Sequence, residues 1–163
     1  HDSLKLMLDY LKNSQRSDGA WEPLWFGNQH TEEQRNLTYG TAQVVIALNE
    51  CGLTELDFSE TLTKGENWLL EAQHEDGTWG GDKKCKSSIE ETALGTNALI
   101  SSGKYQGQAE LGMKGLLKIT ENGTHFPSSP IGLYFASLWY DEKMYPLVYS
   151  MAAVEKYLLR SKS

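Results

Sequence analysis

One phrase recurs at a fixed distance, and it limits the folds open to this chain more than any other feature. Asn13 to Pro23 reads NSQRSDGAWEP, and Ala72 to Gly81 reads AQHEDGTWGG. Gln73 follows Gln15 by 58 residues, and Trp79 follows Trp21 by the same interval. Each phrase closes a stretch with helical apolar spacing. A unit that ends a helix, turns sharply and places an indole at the same offset is a supersecondary repeat.

The helices between the phrases fall into two kinds. Leu4, Met7, Leu8 and Leu11 make one stripe. Phe58, Leu62, Gly65, Leu69 and Ala72 make a second, with Trp68 beside it, and Ala109, Met113 and Leu116 a third, with Leu117 adjacent. Steps of three and four with polar residues opposite predict one-faced helices. Thr41 to Gly52 and Ser87 to Gly103 are instead apolar around most of their circumference, as expected of helices covered on all sides. Ser87 and Ser88, each three residues ahead of a glutamate, fit capping boxes, and Gly52 and Gly103 fit left-handed helix ends. Alternation of the two kinds predicts an all-α protein: an α/α toroid of helix hairpins, about half a barrel, with three outer and three inner helices. No period-two strand pattern is visible. In the aromatic tail, a short helix is expected near Ile131 to Tyr140 and a last helix from about Pro146, with proline in its first turn.

Composition excludes several classes. At 39% hydrophobic and 23% charged, the 163 residues suffice for one globular domain. A net charge of −7 without a dense basic block argues against nucleic acid as a partner. Cys51 and Cys85 are too few for a disulfide framework and read as reduced. His1, His30, His74 and His125 lack metal-ligand spacing, so no metal is expected; His74 and His125 lie in turns and are expected at the surface. No phosphate-cradling glycine loop is present, and no cofactor is expected. Glu32-Glu33 and Glu90-Glu91 read as a solvated face and a helix cap. The longest apolar run, Val44 to Leu48, is far too short to cross a bilayer, and an intracellular location is expected.

Lys64-Gly65-x-x-Trp68-Leu69-x-x-x-Gln73-x-x-x-Gly77-x-Trp79 resembles the QW repeat of squalene-hopene and oxidosqualene cyclases, the class II terpene cyclases. Tyr10-Leu11-x-x-x-Gln15-x-x-x-Gly19-x-Trp21 matches the later two-thirds of the same repeat. The resemblance extends to LWFG (24–27), NLTYGTAQVVIAL (36–48), SSIEETALGTNALI (87–100), GTHFP (123–127) and the aromatic segment ending at Tyr145-Pro146. It covers essentially the whole chain and the last quarter of a typical cyclase.

That resemblance implies a structural role for Gln15, Gly19, Trp21, Gln73, Gly77 and Trp79, which would fasten outer helices together. It implies that Trp25, Tyr39, Phe126 and Tyr140 line a cavity that holds a long isoprenoid. In that correspondence Tyr39 stands behind the acid site and Phe126 faces late cations. It also implies a partner, the remaining N-terminal part of a cyclase, and peripheral membrane association of the whole. The family's proton donor, an Asp-x-Asp-Asp motif, does not occur in these residues, so no catalytic residue is assigned and residues 1–163 alone are expected to be inactive. A third Gln and Trp are missing before GTHFP, and Ser137 stands where an aromatic is common. These departures point toward a branch acting on other polyprenes, such as tetraprenyl-curcumene. The alternative is a non-catalytic α/α scaffold or binding module. In either case the edge of a half ring would leave apolar surface to be covered by the tail helix or a second copy.

Overall fold

The computed structural model describes residues 2–52, 58–133 and 138–161. Among the described residues six helices form, in chain order α1 (Asp2–Ser14), α2 (Leu37–Glu50), α3 (Ser59–Ala72), α4 (Ile89–Ser102), α5 (Gln106–Ile119) and α6 (Tyr145–Arg160). α2, α4 and α6 lie side by side with α4 in the middle, while α3 backs onto α2 and α5 onto α4. The all-round apolar pattern has its expected result in α4, where every residue from Ile89 to Ser101 is buried. Ser88 caps it by accepting the Glu91 N–H, and Gly103 ends it at φ 71°.

Side-chain contacts fix the direction of the inner row. At one end Asn36 of the α2 cap reaches Glu91 in α4, and Tyr39 of α2 meets Tyr149 of α6. At the other end Lys156 of α6 bonds Glu50 of α2 and Ser101 of α4, and Arg160 donates to the Ser101 carbonyl. The three inner helices therefore run parallel, and their N-termini share one face.

The repeated phrases are clasps, and they work in the same register twice. Trp21 donates its indole N–H to the Leu11 carbonyl at 2.7 Å, and Trp79 donates to the Leu69 carbonyl at 2.8 Å, each closing its own turn. Their backbone N–H groups bond Thr41 and Thr92 of the following inner helices. Gln15 donates across to the Thr61 carbonyl of α3 (2.8 Å), and Gln73 to the Gln108 carbonyl of α5 (3.0 Å). Four residues past each acceptor stands a glycine, Gly65 or Gly112, against which the indole lies. A Cβ on Gly65 would come within 2.5 Å of the Trp21 ring, and one on Gly112 within 3.0 Å of the Trp79 ring. Gly77, at φ 86°, turns the second clasp where a Cβ would strike the Leu111 carbonyl.

The third such turn is built differently. Thr120 stands four residues past Leu116, where Gln15 and Gln73 stand past Leu11 and Leu69. Its hydroxyl turns back to the Leu116 carbonyl at 2.8 Å, and its own carbonyl accepts the N–H groups of Gly123, Thr124 and His125. Phe126 occupies the tryptophan's place, half-buried against the core.

Four sequence expectations need correction. The segment expected to be a short helix near Ile131 to Tyr140 holds two strands, β2 (Ile131–Leu133) and β3 (Leu138–Tyr140), which pair antiparallel. β2 also pairs with β1 (Gly27–Asn28), giving a three-stranded sheet in the order β1-β2-β3. Strands of two and three residues are too short to show a period. Tyr134, Phe135 and Ser137 lie outside the described residues. On α1 only Leu8 and Leu11 reach the core, whereas Leu4 and Met7 are exposed. Leu117 is exposed too, and His74 is half-buried with Nδ1 at the Thr78 hydroxyl.

A tyrosine wall and a buried acid pair at the heads of the inner helices

The shared face of the inner row gathers two buried glutamates and a cluster of aromatic rings. At the α2 head, Asn36 is the cap: its side chain accepts the Tyr39 N–H at 3.1 Å and donates to Glu91 Oε1 at 2.6 Å. Asn28 of β1 donates to the same oxygen at 3.3 Å. The small sheet thus presents Asn28 to α4, and Glu91, only 1% exposed, is gripped by two amides. Burial drives the Glu91 carboxyl upward, and the Asn36 and Asn28 bonds oppose that. The carboxylate that a capping box would return to Ser88 serves here as a tie between elements.

Glu90 points to the other flank. It is 3% exposed and accepts the Ser129 N–H at 2.8 Å. Burial is the main reason that its carboxyl rises to about 7, with Glu91 adding to the rise and the Ser129 N–H opposing it. Glu90 Oε2 and Glu91 Oε2 have no hydrogen-bond partner among the described residues, nor do Thr38 Oγ1 and Ser150 Oγ nearby in α2 and α6.

Four aromatic rings complete the face. Phe26 stacks on Tyr39 with centroids 4.5 Å apart and planes at 30°. Tyr149 meets Tyr39 edge-on at 6.4 Å, with the hydroxyls 3.5 Å apart, and Tyr145 packs against Tyr149 at 5.4 Å. Burial above all raises the Tyr149 hydroxyl, followed by its contact with Tyr39. Such a wall offers π faces to a cation, and burial keeps the Tyr149 hydroxyl protonated.

Of the residues singled out from sequence, Tyr39 sits inside this cluster and Phe126 packs half-buried on the core. Trp25, next to Phe26, is 54% exposed, and Tyr140, at the end of β3, is 46% exposed. Sequence reasoning missed Phe26, Tyr149, Asn28 and Asn36, and it read the glutamate pair only as a cap. The available signal was two adjacent carboxylates opening an otherwise apolar helix.

A parallel inner helix row, backed by outer helices and clasped through glutamine and tryptophan, marks the C-terminal portion of a class II terpene cyclase. Residues 1–157 match the squalene-hopene cyclase C-terminal domain, and the chain belongs to that family. It is 31% identical over 140 residues to a copalyl diphosphate synthase of Streptomyces cyslabdanicus, covering 86% of this chain and 24% of that protein. It is 29% identical over 106 residues to the squalene–hopene cyclase of Bradyrhizobium diazoefficiens, covering 58% and 14%. The ent-copalyl diphosphate synthase structure from Streptomyces platensis shares the fold, with a TM-score of 0.67 at 24% identity, over 96% of this chain and 27% of that one. The chain spans about a quarter or less of the length of these relatives.

Proposed function

We propose that the polypeptide carrying this chain cyclises a long linear polyprene by protonating a terminal alkene and guiding the resulting carbocation. The observation that carries this reading is the ring cluster Phe26–Tyr39–Tyr149–Tyr145 on the shared face of the inner helices, in a chain of the cyclase family. Cyclisation of this kind needs a dry aromatic enclosure that fixes the folded chain and stabilises positive charge as it moves. The residues here supply part of that enclosure, Trp25, Tyr39, Phe126 and Tyr140 among them, and the clasps act as QW repeats in about half of an α/α ring. The initiating acid comes from the rest of the polypeptide, so residues 1–163 are inactive alone.

That remaining polypeptide packs against the open edges. Met144, Val148, Met151, Leu158 and Leu159 form an exposed stripe along α6, and Leu138 is exposed on β3. A second copy of the chain is the other candidate to cover this edge. No helix among the described residues is long and apolar enough to cross a membrane. A water-insoluble substrate fits a cytoplasmic enzyme associated peripherally with the bilayer.

The test is incubation of the complete polypeptide with squalene and, separately, with linear prenyl diphosphates, followed by mass spectrometry. Cyclic product is expected from the complete polypeptide and none from residues 1–163. A complete polypeptide that binds but never cyclises these compounds would overturn the proposal in favour of a binding module.

A further inference from the structure

In a row of inner helices each member needs cover on both flanks. α4 has it, with α2 on one side and α6 on the other, and no residue from Ile89 to Ser101 is exposed. α6 has cover on one flank only. Its covered face is made of compact residues, Pro146, Ser150 and Ala153. Its opposite face exposes Met144, Val148, Met151, Leu158 and Leu159, with steps of four, three and seven from Met144 to Leu158 that keep them in one stripe.

Glu155 lies in the same stripe, four residues from both Met151 and Leu159, and is exposed. It forms no ion pair among the described residues. The positions three and four away are Met151, Ala152, Leu158 and Leu159, so its own helix offers it no cation.

Resting on the proposed packing of the remaining polypeptide against this edge, we infer that α6 seats a fourth inner helix, from outside residues 1–163 of the same polypeptide, whose lysine or arginine pairs with Glu155. That helix continues the row in the direction of the other three and sets an apolar face against the stripe. Covering the stripe takes Glu155 out of water, and a buried carboxylate without a cation is far costlier than a paired one. Methionine and leucine alone would accept many apolar surfaces; the carboxylate selects among them. The chain spans about a quarter or less of the length of its relatives, which leaves the sequence for such a helix outside residues 1–163. The pair on the open flank matches one already made on the covered flank, where the next residue, Lys156, joins Glu50 of α2 and Ser101 of α4.

A second copy fits this seat poorly. A copy that closed the ring would bring its α2 against α6, and α2, LTYGTAQVVIALNE, has no lysine or arginine to meet Glu155. Two α6 helices side by side in the same direction would oppose Glu155 to Glu155, leaving both carboxylates uncompensated.

The experiment uses the complete polypeptide carrying Met151→p-benzoylphenylalanine or, separately, Leu158→p-benzoylphenylalanine, so that one variant still reads the seat if the other folds poorly. After irradiation, mass spectrometry of the digest is expected to join each position to one segment outside residues 1–163, with a lysine or arginine within about one helical turn of the attachment. Glu155→Lys should then lower the unfolding temperature of the complete polypeptide, and reversing the identified cation to glutamate in the same molecule should restore it. Glu155→Gln, which removes the charge without opposing it, should give a smaller loss. Cross-links to a second copy, to residues 1–163 alone, to a segment without a basic residue or to nothing would overturn the inference, and so would a charge reversal that rescues nothing. Cyclic product from a polypeptide whose α6 cross-links to a second copy overturns this inference alone. The expected cross-link and rescue in a polypeptide that never cyclises overturn the proposed function alone.

Discussion

The two clasps and the heads of the inner helices differ in how fully they pair their buried polar groups. In the clasps each indole N–H and each glutamine amide is bonded and glycine clears the space for each ring, while His74 Nε2 of the second turn goes without a partner among the described residues. At the heads, buried oxygens of Thr38, Glu90, Glu91 and Ser150 go without partners among the described residues. An unpaired buried polar atom costs roughly 1–3 kcal/mol, so a fold keeps several together only where something else rewards it. The clasps pair most of their polar groups, whereas the heads of the inner helices carry a cluster of unpaired buried oxygens at a stability cost.

Four measurements would break or sharpen that contrast. Trp79→Ala removes a ring that is 0% exposed and should cost about 3–5 kcal/mol in denaturant unfolding. Phe126→Ala, in the same place of the third turn, should cost visibly less because that ring is half-buried. Equal losses would mean that the third turn is a clasp after all.

The second is the pH dependence of stability. Glu90 titrates near its usual 4.5 when unfolded and near 7 when folded, so between those values the folded state binds more protons. Stability therefore falls as pH rises from about 4.5 to about 7, by roughly 3 kcal/mol from this group. Glu90→Gln should flatten that slope and leave the variant more stable than the wild type above neutrality; an unchanged slope would assign the effect elsewhere.

Third, Gly77→Ala should cost about 2 kcal/mol or more, because a left-handed backbone and the Leu111 carbonyl both oppose a Cβ. Gly123→Ala, with φ 83° and open space around it, should cost only about 1 kcal/mol. Last and smallest, Gln15→Ala and Gln73→Ala should each cost about 1 kcal/mol. Gln15 should be the larger, since its bonds at 2.9 and 2.8 Å are shorter than those of Gln73 at 3.3 and 3.0 Å.

The layered helical fold was legible because its signals are local. Helical spacing marked α3 and α5, an unbroken apolar circumference marked α4, and Ser88 and Gly103 marked its ends. The small sheet was not legible, since Gly27 and Gly132 pair across more than a hundred residues in strands of two and three. The ring cluster was legible only in part. Tyr39 was singled out by the family resemblance, but Tyr149 joins it from 110 residues away. Asn36 and Asn28 reach Glu91 from 55 and 63 residues away. No window of sequence contains such pairs. Met7 and Leu4 show the converse: their spacing is helical, but what covers a helix depends on its neighbours.

The common direction of α2, α4 and α6 has an electrical consequence. Each helix start carries a macrodipole equivalent to roughly half a positive charge, and three such starts point at one face. Left alone, that field would repel a carbocation. Glu90 and Glu91 lie in the first turn of the middle helix, and when ionised they supply enough negative charge to offset it. The tyrosines would then look onto a face whose potential is set by two titrating side chains rather than by the backbone.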